Sequence, residues 1–247
     1  TTFILPQLLW VQKNEPDVLN ETYKVMMPKD YIRHRITEDW CTDPSDASHT
    51  LIFDMERGCW SEEISEFTGI PLEKLPEIVP SFKVVGYVTR SASKEIGLLE
   101  GTPVATGALD ASAELLGAGV VSPQRSLIRL GTAGAILSAI GIPYRDSKRR
   151  ALCLCHSSPN LWYMAIVTQS CGSSLRWFRD TFCREEIDEA ERVKSDPYVI
   201  IDDEASKVSP GSEGLIFHPY LLGERAPYWD PQLTGDFFGI TFRHGKG

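Results

Sequence analysis

Apolar positions along the chain recur with two spacings, which divide it into helices and strands. In "ILPQLLWVQKNEPDVL" they fall at helical spacing, predicting an amphipathic helix interrupted near Pro16. "PKDYIRHRITE" predicts a short helix after Pro28. "CTDPSDASHTLIFDMERGCWS" reads as a Pro/Asp/Ser turn leading into a strand over residues 50–54. Ser61 stands where an N-cap would for "EEISEFTG", with acidic residues in the first turn and Gly69 as the stop. "KVVGYVT" predicts a strand, and a helix follows over about residues 91–99. Residues 103–106 then read as a short buried strand, and from Ala111 the residues suit a helix with Leu115 and Leu116 on its apolar face. Asp110 falls at that junction, in the N-cap position.

After Val121 and Pro123 the pattern changes. "SLIRLGTAGAILSAIG" is two apolar strands around a Gly-Thr-Ala-Gly turn, a hairpin pattern. Strands follow in "ALCLCHS" and "LWYMAIVTQ", then a helix through "SSLRWFRDTF" and a charged helix over about residues 184–194. The tail predicts a strand, a loop rich in Gly, Pro and charge, and another strand start. A domain boundary near Ser122 fits this change, giving domains of 1–122 and 123–247 in an α/β class without linker, low-complexity segment or short repeat. Both ends read as cut, as in a middle piece of a longer chain.

Composition narrows the function classes. The chain has 247 residues, with 42% hydrophobic and 24% charged residues, close to a globular average. A formal net charge of -9 with scattered basic residues argues against nucleic acid or a membrane surface as partner. No apolar run approaches the roughly 20 residues that span a bilayer, and the amino terminus lacks signal-peptide features. The six cysteines form no Cys-x-x-Cys pair. They read as reduced, mostly core-filling thiols of a cytoplasmic protein, with no zinc site.

Four segments could carry chemistry, and each has an ordinary structural reading beside it. Asp110 is a capping aspartate on spacing alone. Gly131-Thr132-Ala133-Gly134 can aim amides and a hydroxyl at a phosphate oxygen, or serve only as a hairpin turn. In "SCGSSLRWFRD", Gly172 near a helix start permits close approach and Arg176 one turn later suits an anion; a surface arginine is the ordinary case. "GERAPYWDP" reads as a rigid loop holding an ion-pair network of Glu224, Arg225 and Asp230. His156 and His218 read as core or edge histidines, and Trp177 and Phe178 as packing residues.

Taken in order, "PKDYIRHRIT", "TDPSDASHT", "GTPVATGALDASAELLGAGVV", "LIRLGTAGAI" and "PYLLGERAPYWDPQLTGDFFGIT" carry a resemblance across essentially the whole chain. The sequence resembles the FGGY family of carbohydrate kinases, and most closely the xylulokinase branch. The resemblance implies an actin-like, ribonuclease-H-like fold with two α/β domains flanking a cleft. Residues 1–122 would be the later part of the sugar-binding domain and 123–247 the first part of the nucleotide-binding domain. It implies ATP-dependent phosphorylation of a sugar hydroxyl, D-xylulose first and gluconate as the nearest rival, with magnesium. Asp110 matches the general base, where the N-terminal end of the following helix suits a negative charge. Asp110 and Ala111 fall at the substrate, Gly131, Thr132 and Ala133 at the second phosphate motif, and Gly172 and Arg176 at the nucleotide.

The amino-terminal phosphate loop with its metal aspartate, and the later glycine-rich adenosine segment, have no match here. No metal ligand is therefore expected in this chain, and the piece alone is expected to be inactive. A second copy of the chain is a candidate partner, through surfaces the missing segments would cover. Two departures bear on the substrate. Ala111 stands where the xylulokinase branch usually has a polar residue, often Asn, and Ala133 replaces the usual Ser of Gly-Thr-Ser-Gly. A non-catalytic, sugar-binding relative is the competing class, motivated by Ala111.

Overall fold

The computed structural model describes residues 3–246. The first apolar stretch forms α1 (Ile4–Asn14) and α2 (Pro16–Glu21), parted at Glu15 because Pro16 has no amide with which to continue the ladder. α3 (Pro28–Thr37) starts on proline and closes on Glu38 in the left-handed region. Then come β1 (Cys41–Thr42), α4 (Pro44–Ser48), and β2 (Phe53–Asp54) paired antiparallel with β3 (Cys59–Trp60). α5 (Glu62–Thr68) has the expected ends: Ser61 Oγ accepts from the Ile64 amide at 3.2 Å, and Gly69 takes a φ of 72°. β4 (Glu77–Ile78) lies parallel to β1. β5 (Val84–Tyr87), α6 (Arg90–Ile96), β6 (Pro103–Ala105) and α7 (Asp110–Gly117) complete this half, with β6 antiparallel to β5.

The Gly-Thr-Ala-Gly turn joins β7 (Ser126–Leu130) to β8 (Gly134–Ile140), as the alternation predicts. With β9 (Leu152–Cys155) and β10 (Trp162–Thr168) they make one sheet in the order β7-β8-β10-β9. α8 (Gly172–Phe182), α9 (Arg184–Val193) and α10 (Pro197–Ala205) follow, then β11 (Ile216–His218) paired with β12 (Asp236–Phe238).

The chain divides into two compact units. The first comprises residues up to Leu127 with Leu137–Arg145 and Leu152–Ala165; the second comprises Ile128–Ile136, Asp146–Ala151 and the residues from Ile166. In the first, Leu8, Leu19, Ile52, Ile70 and Leu75 form a core on which α1 packs through Ile4, Leu5 and Val11. In the second, Trp177 stacks on Phe217 at 6.3 Å, Phe217 on Phe237 at 4.7 Å, and Phe178 meets Phe182 at 5.3 Å. Trp177 and Phe178 therefore pack, as expected.

Several local expectations need correction. The Pro/Asp/Ser segment is a helix, because Asp43 accepts from the Ser45 and Asp46 amides and Pro44 occupies the first turn. The strand after it covers only Phe53–Asp54. α6 stops at Ile96, since Gly97 closes it with a φ of 76°. The strand over Pro103–Ala105 is not buried: Pro103 and Ala105 are exposed and only Thr106, just past it, is enclosed. α10 is a further helix beyond those the apolar spacing predicts, started by the Asp196 cap and Pro197 in its first turn. All six cysteines are free; Cys41, Cys155 and Cys183 are buried, while Cys59 is exposed. Among the described residues no helix is long and apolar enough to cross a membrane.

Candidate active site

Between β6 and α7 the backbone is tied down residue by residue. The Thr106 carbonyl accepts from Arg33 Nη1 at 2.6 Å, and the Thr106 amide donates to the Lys83 carbonyl at 2.9 Å. The Gly107 amide donates to the Ser81 carbonyl at 3.0 Å, and the Leu109 amide to Ser45 Oγ at 2.8 Å. Gly107 has a φ of 83°, which makes glycine the fitting residue at this bend. Asp110 then opens α7. It is the first helical residue and Leu109 is the cap, so the expected N-cap assignment is corrected by one position. The reason is geometric: Asp110 Oδ1 accepts from the adjacent Ala111 amide at 2.6 Å, and Leu109 has the extended ψ of 142°.

The Asp110 carboxylate is exposed and joins no ion pair among the described residues. Ala111 beside it is half-buried and has only a methyl group to offer. Behind them, Ser112 Oγ accepts from the Ser157 amide at 2.6 Å, and Leu115 is fully buried, so α7 has a fixed inner face. Tyr163 on β10 is fully enclosed and its hydroxyl has no hydrogen-bond partner among the described residues. Burial, followed by the nearby charge of Asp110, raises its phenol well above the ordinary value, keeping it protonated.

Beneath this stretch lies a cluster of charges. Lys29 Nζ meets Asp30 Oδ1 at 2.5 Å, Asp46 Oδ2 at 2.9 Å and Asp43 Oδ1 at 3.0 Å. Arg33 pairs with Asp30 at 2.7 Å and with Asp39 at 3.1 Å. Burial opposes the Lys29 charge, but Asp43, Asp46 and Asp30 together hold its ammonium above the ordinary value. Asp46 responds the other way: burial pushes its carboxyl up to about 6 in spite of Lys29. None of Lys29, Arg33, Asp43, Ser45 or Tyr163 was anticipated as part of a site. Locally the acidic residues of "TDPSDAS" have the pattern of turn formers, and their partners Lys29 and Ser81 come from other segments.

In the second unit the structure brings Gly131, Thr132 and Gly172 together. The Gly172 amide donates to the Gly131 carbonyl at 2.8 Å, and the Cys171 amide to the Thr132 carbonyl at 3.0 Å. Ser173 Oγ also donates to the Thr132 carbonyl at 2.9 Å. A Cβ on Gly172 would stand 2.9 Å from the Gly131 carbonyl oxygen, so this close approach requires glycine. The carbonyls of the turn thus face α8, while Gly131 and Thr132 are exposed and Ala133 is half-buried. Of the turn's own amides, that of Gly131 donates to the Ala133 carbonyl at 3.1 Å. The exposed Thr132 hydroxyl and neighbouring amides suit phosphate oxygens. Arg176 is exposed on α8, and among the described residues no hydrogen bond or ion pair draws it to the turn. Among the described residues no group of three or more His, Cys, Asp or Glu side chains could hold a metal ion.

Among the described residues Glu224, Arg225 and Asp230 of the "GERAPYWDP" loop form no ion-pair network, and the expectation is corrected. Glu224 is buried, and it accepts from Thr168 Oγ1 at 2.6 Å and from the Arg225 and Gln169 amides at 2.7 and 3.0 Å. The Glu224 amide donates to the Asp230 carbonyl at 2.9 Å. A buried carboxylate can be satisfied by neutral donors as well as by an arginine, and here it is. His156 is buried, its Nδ1 accepting from the Ser158 amide at 2.8 Å, and His218 pairs with Asp236 at 2.6 Å.

The first unit thus presents a tethered strand-to-helix turn bearing an exposed aspartate, and the second a glycine-rich hairpin turn set on a helix start, in an α/β protein. The family comparisons make the class specific. Residues 1–117 match the N-terminal domain of the FGGY family of carbohydrate kinases, and residues 135–247 its C-terminal domain. The chain belongs to that family, and its fold is the family's actin-like one. It is 36% identical to a xylulose kinase of Lactococcus lactis subsp. lactis over 98% of this chain and 46% of the relative. It is 33% identical to a gluconokinase of Bacillus subtilis over 98% of this chain and 47% of the relative. Among solved structures it is similar to gluconate kinase from Lactobacillus acidophilus, with a TM-score of 0.89 at 28% identity over 99% of this chain and 48% of that one. Xylulose kinase from Rhodospirillum rubrum gives a TM-score of 0.87 at 29% identity, again over 99% of this chain and 48% of that one. The chain therefore spans about half the length of the curated relatives it matches.

Proposed function

We propose that the whole protein phosphorylates a sugar hydroxyl with ATP, D-xylulose before other acceptors, and that Asp110 is the general base. The observation that carries this reading is the placement of Asp110: an exposed carboxylate, in no ion pair among the described residues, on a backbone tied at Thr106, Gly107 and Leu109. Its carboxylate accepts the proton of the substrate hydroxyl as that oxygen bonds to the γ-phosphorus and the bond from phosphorus to the ADP oxygen breaks. Gly131, Thr132 and Ala133 hold the transferring phosphoryl group, through the Thr132 and Ala133 amides and the Thr132 hydroxyl on a turn that Gly131 shapes, and Gly172 and Arg176 meet the nucleotide. Magnesium, bound with ATP, neutralises phosphate charge. Residues 1–122 belong to the sugar-binding domain and 123–247 to the nucleotide-binding domain. The protein works in the cytoplasm without nucleic acid or membrane as partner, and a second copy is its candidate macromolecular partner.

Gluconate is the second reading, favoured by the gluconate kinase likeness at a TM-score of 0.89 and by Ala111, which offers no side-chain amide to a pentulose. An ADP-release assay on the whole protein with D-xylulose, gluconate and glycerol separates these. Stimulation by none of them favours a non-catalytic sugar-binding protein instead. Asp110→Asn should lower turnover about 10²–10⁴-fold with the fold retained; unaltered turnover sinks the assignment. The 247-residue chain by itself is expected to show no kinase activity.

A further inference from the structure

The amide of Leu109, the residue that caps α7, is satisfied from 64 residues away. It donates to Ser45 Oγ at 2.8 Å, and no side chain caps the helix locally. Ser45 Oγ in turn donates to Asp43 Oδ2 at 2.5 Å. That donation fixes the hydroxyl proton and leaves a lone pair for Leu109. Asp43 is itself fully held. Its Oδ2 also accepts from the Ser45 amide at 2.9 Å and from Ser81 Oγ at 2.7 Å, while Oδ1 faces Lys29 Nζ at 3.0 Å. The Ser81 carbonyl receives the Gly107 amide at 3.0 Å. Gly107 and Leu109, three residues and one residue before Asp110, are thus anchored to one buried carboxylate through two serines. Asp43 and Ser45 are both fully buried, so water cannot substitute for either.

We infer that Ser45 is a positioning residue for catalysis: through its bond to the Leu109 amide it sets the start of α7 and hence where the Asp110 carboxylate meets the substrate hydroxyl. The inference rests on Asp110 being the base. Ser45 touches no reacting atom. Its effect passes through the backbone, where a displacement of about 1 Å at a reacting group lowers rate about 100-fold. Oriented chemistry is far more sensitive to such a shift than binding, so the effect falls on kcat.

The test uses the whole protein and its best acceptor sugar. Ser45→Ala should lower kcat about 10–100-fold while the sugar KM moves by less than about twofold, and Ser45→Thr, which keeps the hydroxyl, should recover most of the rate. Ser45→Cys, equal in shape but a weak acceptor, carries the same expectation as Ser45→Ala and serves if the alanine variant does not fold. In an Asp110→Asn background, Ser45→Ala should leave the residual kcat within about twofold, because there is no base left to misplace. A purely structural serine would instead lower the rate equally in both backgrounds, and that result overturns the inference. So does a wild-type kcat in Ser45→Ala and Ser45→Cys when Asp110→Asn is impaired, which leaves the base itself standing. Unaltered turnover in Asp110→Asn overturns both, and that single variant tells the two failures apart.

Discussion

The stretch around Asp110 and the turn around Thr132 are held by opposite means. Around Asp110 the backbone is pinned by distant side chains, Arg33 on Thr106 and Ser45 on Leu109, backed by a buried charge cluster of Lys29, Asp30, Asp43 and Asp46. Around Thr132 the pins are backbone to backbone: the carbonyls of Gly131 and Thr132 receive the amides of Gly172 and Cys171. The first design tolerates a side chain at nearly every position but depends on compensated charge. The second needs no charge but requires a hydrogen atom where Gly172 has its α-proton. One region should therefore break by losing an ion, the other by gaining a methyl group.

The largest expected effect is in the charged region. Lys29→Met leaves Asp30, Asp43 and Asp46 without their shared cation, and all three side chains are at most 4% exposed. Removing one partner of a buried ion pair costs about 3–5 kcal/mol; with the Lys29 side chain 24% exposed, the lower end is expected. Denaturant unfolding measures it, and a loss well under about 1 kcal/mol would show that the cluster behaves like a surface pair. Gly172→Ala comes next. A methyl 2.9 Å from the Gly131 carbonyl oxygen must displace the turn, for a loss of about 1–3 kcal/mol. In the whole protein it should raise the KM for ATP while leaving the KM for sugar unchanged. A rise in the sugar KM alone would break the comparison. Glu224→Gln is milder. It keeps an oxygen for the Gln169 and Arg225 amides and trades only the bond to Thr168, for about 1 kcal/mol in the same unfolding assay.

The same contrast decides what could be read from residues alone. The Thr132 region was legible because its determinants are contiguous: two alternating apolar runs bracket Gly-Thr-Ala-Gly, and a glycine follows at the start of the next helix. The Ser61 cap and Gly69 stop of α5 are legible for the same reason. The resemblance singled out Asp110, yet nothing local separated a cap at position 110 from a first helical residue. That difference is decided by Ser45, which lies 64 residues from Leu109. Likewise "DPSDAS" has the residues of a turn and of a capped helix. The helix prevails because the Asp43 carboxylate is buried, receives the amides of Ser45 and Asp46, and is balanced by Lys29 from another helix. Local signals specified elements; the long-range polar partners that tie the backbone at Thr106 and Leu109 have no period to betray them.

The smallest effect sharpens the charged side of the comparison through pH. Asp46 faces Lys29 Nζ at 2.9 Å, with Asp43 and Asp30 as further negative neighbours, and burial raises its carboxyl to about 6 from an ordinary 3.8. A carboxyl raised in the folded state binds its proton more readily there than in the unfolded chain. Its contribution to stability is therefore present below pH 3.8 and lost as pH rises through about 6. Asp39 and Glu186, whose carboxyls are lowered, shift stability in the opposite sense, so the raw profile of the protein mixes the two. The difference between Asp46→Asn and the unaltered protein removes that background, because asparagine copies the protonated carboxyl and does not titrate. Melting temperatures of both should be compared at about pH 4.5 and pH 7, where the asparagine variant should gain by roughly 2–4 °C on the unaltered protein. Parallel pH profiles would mean that Asp46 is already ionised at the lower pH. Lys29 would then satisfy all three carboxylates at once, and the cluster would hold the Asp110 stretch with the same strength across the whole range.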